Sequence, residues 1–410
     1  MTAGRAARWV AGTLVLLVAI AVVAILISNR RDPWPVPVRA ANAVGDSTCL
    51  SCHAGMASYE QTAHRLTTRH PTVANMEGHF ESGRNVLRTT NPALHFVMRA
   101  DSTGFYQTAV MGKAPDTTVR TERIAYVAGS GRKGQSYLYW QGDQLYQLPI
   151  SYWRSLDTWI YSPGPGYVEG RAYFERAIAP RCFECHATWI KARPAVASIN
   201  EYDSTGAILG ITCERCHGSG REHVARERSP LRFVRAPAIV NPARLDRERN
   251  VESCAQCHGG LGSPKVPSFS YIAGKRLDDY LYRPAKDSTA IVDVHGNQAA
   301  LLARSRCFQR SQMTCLTCHD VHRQERDITV LSGKCLTCHE LGGPTLPASH
   351  GKDMVGRCVS CHMPLQKSKL IVSALGKEEE QVEVRSHWIK VYRDSVEHRP
   401  ITKGGGLGAP

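Results

Sequence analysis

Aromatic residues are scarce in this chain, 7 % of its 410 residues, although the hydrophobic share of 42 % is ordinary. A core of this size therefore has room for apolar area that side-chain rings do not supply. Acidic residues are also short, 36 against 51 lysines and arginines, for a formal charge of +15. That balance alone would suggest nucleic acid or an anionic membrane surface as a partner. No recognisable nucleic-acid-binding motif accompanies it, so nucleic acid is excluded here. Cysteine is absent from about Val86 to Ile178, although the chain holds fifteen. That gap is read as a unit apart from whatever the cysteines do.

Fourteen of the fifteen cysteines fall in one pattern, Cys-x-x-Cys-His, repeated seven times. The copies are Cys49, Cys52 and His53; Cys182, Cys185 and His186; Cys213, Cys216 and His217; Cys254, Cys257 and His258; Cys315, Cys318 and His319; Cys335, Cys338 and His339; and Cys358, Cys361 and His362. A zinc knuckle, a thioredoxin-like pair and a disulfide framework all use paired cysteines, but none requires a histidine in the next position every time. Composition alone would supply roughly 0.02 copies of the five-residue pattern. Two thiols at this spacing can each add to one vinyl group of a haem while the adjoining imidazole reaches the iron. The expectation is seven covalently bound c-type haems with iron, much of the core being porphyrin. Their propionates would add roughly −7 to −14 charges, which brings the loaded protein toward neutrality.

Along the chain, residues 1–9 read as a cytoplasmic N-terminus and 10–28 as a transmembrane anchor. Val10–Ser28 is uncharged for nineteen residues, with Arg5 and Arg8 before it and Arg30 and Arg31 after it. Residues 29–45 read as a Pro-rich linker, since Asp32–Val38 carries three alternating prolines and should be an extended spacer. A first haem unit occupies 46–85. Residues 86–178 read as a β-rich insert, because His95–Arg99 with Gly104–Val110 and Ser136–Trp140 with Leu145–Ile150 alternate as paired strands. A six-haem region spans 179–365. A tail of 366–410 follows, with a charged run at Lys377–Glu380 and a GGGLGAP end expected to be disordered.

The stretch Gly45–His64, a haem motif running into a helix that ends near a second histidine, resembles the opening repeat of the cytochrome c-554 family of multihaem proteins. Tyr126–Gly131, Ser162–Gly164, CHGSGREHV after Cys216, CAQCHGG at His258 and CHMP at His362 are also similar to that group. The resemblance is strong in the haem-binding strings and weak between them. It implies that His64 is an axial iron ligand.

Ten histidines remain beyond the seven in the motifs: His64, His70, His79, His95, His223, His295, His322, His350, His387 and His398. Seven would make every haem bis-histidine. His322 follows His319 by three residues and His223 follows His217 by six, too short to pass around a porphyrin edge to its opposite face, so each is expected on a neighbouring haem. With His64, these rank first as distal ligands, followed by His295, His350 and His387. His70, His79, His95 and His398 compete for the last place. No motif carries Lys instead of its histidine. Met363 is too close to His362 to ligate the same haem, and Met313 and Met354 are more ordinary as core. Cys307, the odd cysteine, reads as a buried thiol, or as a ligand or thiolate if Arg306 and Arg310 face it.

The expected fold is mainly α and irregular, a multihaem cytochrome c fold with a haem-packed core, a small β-rich insert and one N-terminal transmembrane helix. The expected function is electron transfer between a membrane donor and a periplasmic or outer-membrane acceptor, from a single-pass inner-membrane site with the haems in the periplasm. The alternative is an oxidoreductase with one open haem acting on a small nitrogen or sulfur compound.

Overall fold

A computed structural model describes residues 12–23, 35–164, 169–193, 199–230, 238–283, 292–343, 352–375 and 378–392. Its largest element is a β unit rather than a helix bundle. Four antiparallel strands run as a meander, Val86–Arg88, Leu94–Asp101, Gly104–Lys113 and Asp116–Arg123. The second and third turn over Ser102 and Thr103, with Asp101 opposite Gly104. A seven-stranded sheet lies against them. Tyr126–Ala128, Gly134–Gln141, Gln144–Gln147 and Arg176–Ala177 neighbour one another in that order, and Thr68–Arg69 pairs outside Tyr126–Ala128. Ile150–Trp153 pairs with both Gly134–Gln141 and Thr158–Tyr161.

The strands form where β-branched and aromatic residues alternate, since such side chains pack well on a pleated surface. Leu94, Phe96 and Met98 are buried at every second place of one strand. They meet Tyr137, Tyr139, Trp159, Tyr161 and Phe174 from the other sheet, so the few aromatic residues are concentrated in this unit. Gln107 pins the two sheets together. Its fully buried amide donates from Nε2 to the Ile150 carbonyl at 3.0 Å and accepts from the Ile150 N–H at 2.9 Å.

Two expectations are corrected here. The chain is not mainly α and irregular with one small β insert: helix and strand contribute about equally, and antiparallel pairs recur throughout the haem-motif region. They are Ala187–Ala192 with Tyr202–Leu209, Ser263–Pro264 with Leu281–Tyr282, and Leu365–Leu375 with Glu378–Arg385. The reason is that each haem motif needs only one helical turn, so seven motifs add little helix and the connecting chain is free to pair as strands. The single-pass membrane location is also overturned. Among the described residues no helix is long and apolar enough to cross a membrane. The exposed apolar helix covers residues 12–23, about 18 Å at 1.5 Å per residue against a hydrocarbon layer of about 30 Å. Residues 10–11 and 24–28 of the expected span, Arg5, Arg8, Arg30 and Arg31, and residues 376–377 and 393–410 of the expected tail lie outside the described residues.

Part of the Pro-rich stretch is seen packed on the protein. Val38 is buried, Arg39 donates to the Phe269 carbonyl at 2.8 Å, and the Val44 and Gly45 N–H groups donate to the Glu214 carboxylate.

Replacing Gln107 with Leu should strip both bonds from the buried Ile150 peptide and cost about 2–4 kcal/mol. Denaturant unfolding should show a lower midpoint with an unchanged slope, and an unaltered midpoint would show that the amide is not what joins the sheets.

Candidate haem centres

One helical turn puts residues i, i+3 and i+4 on one face. Most of the motifs use this device. Cys213–His217 and Cys358–His362 are single-turn helices. The His53, His319 and His339 N–H groups close a turn onto the carbonyls of Cys49, Cys315 and Cys335, at 2.9, 3.1 and 3.0 Å. Cys254, Cys257 and His258 end the longer helix Arg247–His258, whose start is capped by Asp246 accepting from the Arg249 N–H at 2.9 Å. Pro180 opens the turn Pro180–Glu184 that carries the second motif, a position where its missing N–H is no loss. Gly218 ends the third motif with φ of 82°, and a Cβ there would meet Pro35 at 2.5 Å, so glycine is needed both for conformation and for space.

The fold then brings distant histidines to these turns. His53 and His223 have ring centroids 6.4 Å apart, His217 and His322 6.1 Å, His319 and His387 6.1 Å, and His64 and His258 5.9 Å. Two imidazoles sharing one iron, each bonded at roughly 2 Å with the ring's own radius added, stand about 6 Å apart. Four pairs therefore have the separation that bis-histidine iron demands. The planes lie 20°, 15° and 29° apart in the first three pairs and 77° apart in the fourth. His186 lies near enough to His295 for their charges to interact.

Burial favours the neutral form of several of these imidazoles, the form with a lone pair for a metal. Burial pushes His258 down to about 4, with His64 as the next cause, and pushes His387 down to about 4, with His319 next. Burial likewise lowers His64, His186, His217, His295 and His319. His186 and His258 are nonetheless exposed residues. His217 is oriented by its Nδ1 at 2.7 Å from the Val240 carbonyl, and His362 by its Nδ1 at 2.9 Å from the Lys390 carbonyl, the second contact that metal-binding imidazoles commonly make. Among the described residues no three His, Cys, Asp or Glu side chains gather as a bare metal ion would need. The donor set fits haem.

Thiols of different motifs also meet. Cys49 lies near Cys213, Cys185 near Cys257, Cys254 near Cys315 and Cys335 near Cys358. The residues between the paired cysteines make further links. Glu184 accepts from the Phe269 N–H at 2.8 Å and faces Arg181 at 2.9 Å and Arg215 at 3.4 Å, all three buried. Asp46 accepts from the Cys213 N–H at 3.0 Å and from Arg65 at 2.7 Å. The sequence reading passed over this group, although charged residues inside Cys-Phe-Glu-Cys and Cys-Glu-Arg-Cys were a signal of it.

The other candidates are placed differently. Among the described residues His339 and His362 form no ring pair with another histidine. His70 packs on Tyr126 at 5.3 Å, His79 holds Asp157 at 2.8 Å, and His95 sits in the meander opposite Arg88 and Val110. His350 and His398 lie outside the described residues. Cys307 is half-buried near Cys318 and Cys335, and Met354 is exposed.

The model of the family described as Cytochrome c554 and c-prime matches residues 168–218, which hold the second and third motifs. The chain is similar to the C-type polyheme cytochrome OmcC of Geobacter sulfurreducens, 25 % identical over 166 residues that make up 40 % of this chain and 20 % of that protein. It is similar to the C-type polyheme cytochrome OmcB of the same organism, 25 % identical over 203 residues, 44 % of this chain and 24 % of that one. The chain thus spans a fifth to a quarter of the length of these curated relatives. No solved structure matches it. Together with the paired imidazoles, these likenesses support a multihaem c-type cytochrome with covalently bound haem iron.

Proposed function

We propose that this chain is a heptahaem electron-transfer cytochrome, with each Cys-x-x-Cys-His copy holding one haem and passing single electrons between a donor and an acceptor protein. The observation that carries the reading is the separation of 5.9–6.4 Å in four histidine pairs assembled from distant segments. The haems supply reversible one-electron chemistry. The protein's part would be to hold haem iron between paired imidazoles, which would leave no position open to substrate. His223, His322, His64 and His387 serve as distal ligands opposite His53, His217, His258 and His319, and His295 serves opposite His186. Bonds between motifs, such as those of Arg181 to the Gln256 carbonyl and of Arg215 to Glu184, hold the centres near one another.

The intact mass of the purified protein should exceed that of the chain by seven haems, and a lower count would end the heptahaem reading. Electron paramagnetic resonance of the fully oxidised protein should show only low-spin ferric haem. High-spin iron worth about one haem in seven would instead favour an oxidoreductase acting on a small nitrogen or sulfur compound.

Residue by residue, His322→Ala should open the iron held by His217 and turn one haem in seven high-spin, whereas His95→Ala should leave the spectrum as it was. Equal spectra for the two variants would refute the His217–His322 pairing.

A further inference from the structure

Residues 385–392 leave the strand Glu378–Arg385 as irregular chain and meet two haem motifs within eight positions. They start at the seventh motif. Arg385 pairs with Leu365 in the hairpin and donates from its guanidinium to the Met363 carbonyl at 3.1 Å, and the Ser386 N–H donates to the Pro364 carbonyl at 3.0 Å. His387 then places its ring 6.1 Å from that of His319 in the fifth motif. Three residues on, the Lys390 carbonyl lies 2.9 Å from Nδ1 of His362, back at the seventh. Nδ1 of His387 is itself 3.3 Å from the Arg385 carbonyl. In both rings a carbonyl takes Nδ1 and leaves Nε2 for iron.

One buried hydroxyl pins this segment. Ser305 has no exposed surface, and its Oγ donates to the His387 carbonyl at 3.0 Å while accepting from the Ile389 N–H at 2.7 Å. Those two bonds fall on the residue that carries the ring facing His319 and on the neighbour of Lys390. Ser305 is in turn held from behind. Its N–H donates to the Leu302 carbonyl at 2.9 Å, at the end of the helix Gln298–Ala303, and Ala299 of that helix packs against Ala255, Tyr271 and Leu277. Trp388 adds a further hold, with Lys390 Nζ 3.7 Å and the Arg304 guanidinium 5.7 Å from its ring centre.

Resting on the haem reading of His319, His362 and His387 above, we infer that residues 385–392 form one strap that serves two irons, and that Ser305 is the residue that positions it. To the fifth centre the strap gives the distal imidazole. To the seventh it gives the carbonyl that orients the proximal one. Ser305 acts on both through the strap, by way of His387 and Ile389.

An Nδ1–H donated to a carbonyl makes an imidazole a stronger electron donor, which stabilises ferric over ferrous iron and lowers the midpoint potential. A distal imidazole acts in the same direction on the iron it reaches. Loss of the Ser305 hydroxyl leaves the His387 carbonyl and the Ile389 N–H without partners at once, and unpaired polar groups against a buried wall drive the segment to rearrange. Two midpoint potentials, those of the fifth and seventh haems, therefore rise together when one hydroxyl is removed.

The test is a redox titration of the full, haem-loaded chain, with carbon monoxide binding as a second readout. His387→Ala removes the distal ring and keeps the strap's backbone, so it should raise one midpoint potential and let about one haem in seven bind carbon monoxide beyond the wild-type level. Ser305→Ala, with its haems retained by intact mass, should raise that same midpoint and a second one. Ser151→Ala removes a comparably buried hydroxyl from the β unit, bonded to Ser162 at 2.7 Å, and should move none. One midpoint moved by Ser305→Ala, or none, would overturn the shared strap and leave the electron-transfer reading standing, as would a Ser151→Ala that moves the same two. Wild-type carbon monoxide binding in His387→Ala would overturn the His319–His387 pairing and the strap with it. If Ser305→Ala loses haem, a crystal structure of the loaded wild-type chain decides: Nε2 of His387 should lie on the iron bound by His319 and Nδ1 of His362 on the Lys390 carbonyl, and either contact missing overturns the strap.

Discussion

The haem-motif region brings imidazoles from distant segments to about 6 Å apart, the separation that two ligands of one iron would need. The Cys-x-x-Cys-His turn supplies the first imidazole locally and at little conformational cost. The second has to come from elsewhere, since a few residues of chain cannot pass around a porphyrin edge. His223 comes to His53 across 170 residues of sequence, His322 to His217 across 105, and His64 to His258 across 194. Each of these pairs ties distant segments together, so the contacts that would ligate a haem are also tertiary contacts. A chain folded this way has little use for long helices.

That division explains what was legible in the sequence. The seven turns were plain, because covalent attachment fixes the spacing of two thiols and an imidazole and composition almost never produces it. The paired-strand segments around Ala100–Thr103 and Gln141–Gln144 showed themselves by alternation, and the structure has hairpins there. The overall balance of helix and strand was not legible. Ala187–Ala192 follows directly on the second motif, and its pairing with Tyr202–Leu209 depends on partners that a local pattern does not show. The apolar run near the start was read by its length, whereas its described helix covers only 12–23. Length of an uncharged run is a property of composition, and a spanning helix is a property of conformation.

The β unit and the haem motifs meet at an aromatic seam. Phe183, between the cysteines of the second motif, packs with Tyr126, Leu138, Leu145, Trp189 and Tyr202. The stacked rings of Tyr126 and Phe183, 6.2 Å apart, fix that motif against the sheet. The scarcity of aromatic residues is therefore local: they fill the β unit and this seam, and elsewhere bound haem would provide apolar area. A porphyrin can do this because it is large and rigid, so ordering it costs far less entropy than ordering side chains of equal area.

The buried charges near the second, third and fourth motifs have a related logic. Arg181, Glu184 and Arg215 are all within a tenth of full burial, where a lone charge would be expensive. Each carries further hydrogen bonds: Arg181 to the Leu261 and Gln256 carbonyls, Glu184 from the Phe269 N–H, and Arg215 to the Glu184 carbonyl at 3.4 Å. Replacing the trio with apolar residues would remove a desolvation penalty and with it the directional bonds that set how three motifs face one another. Electron transfer is steep in distance, so an array of centres is better served by links that specify angle and separation than by links that only add stability. Glu184 and Arg215 sit between the paired cysteines of their motifs and Arg181 directly before Cys182, where a side chain can fix the orientation of its own motif and of the neighbouring one at once.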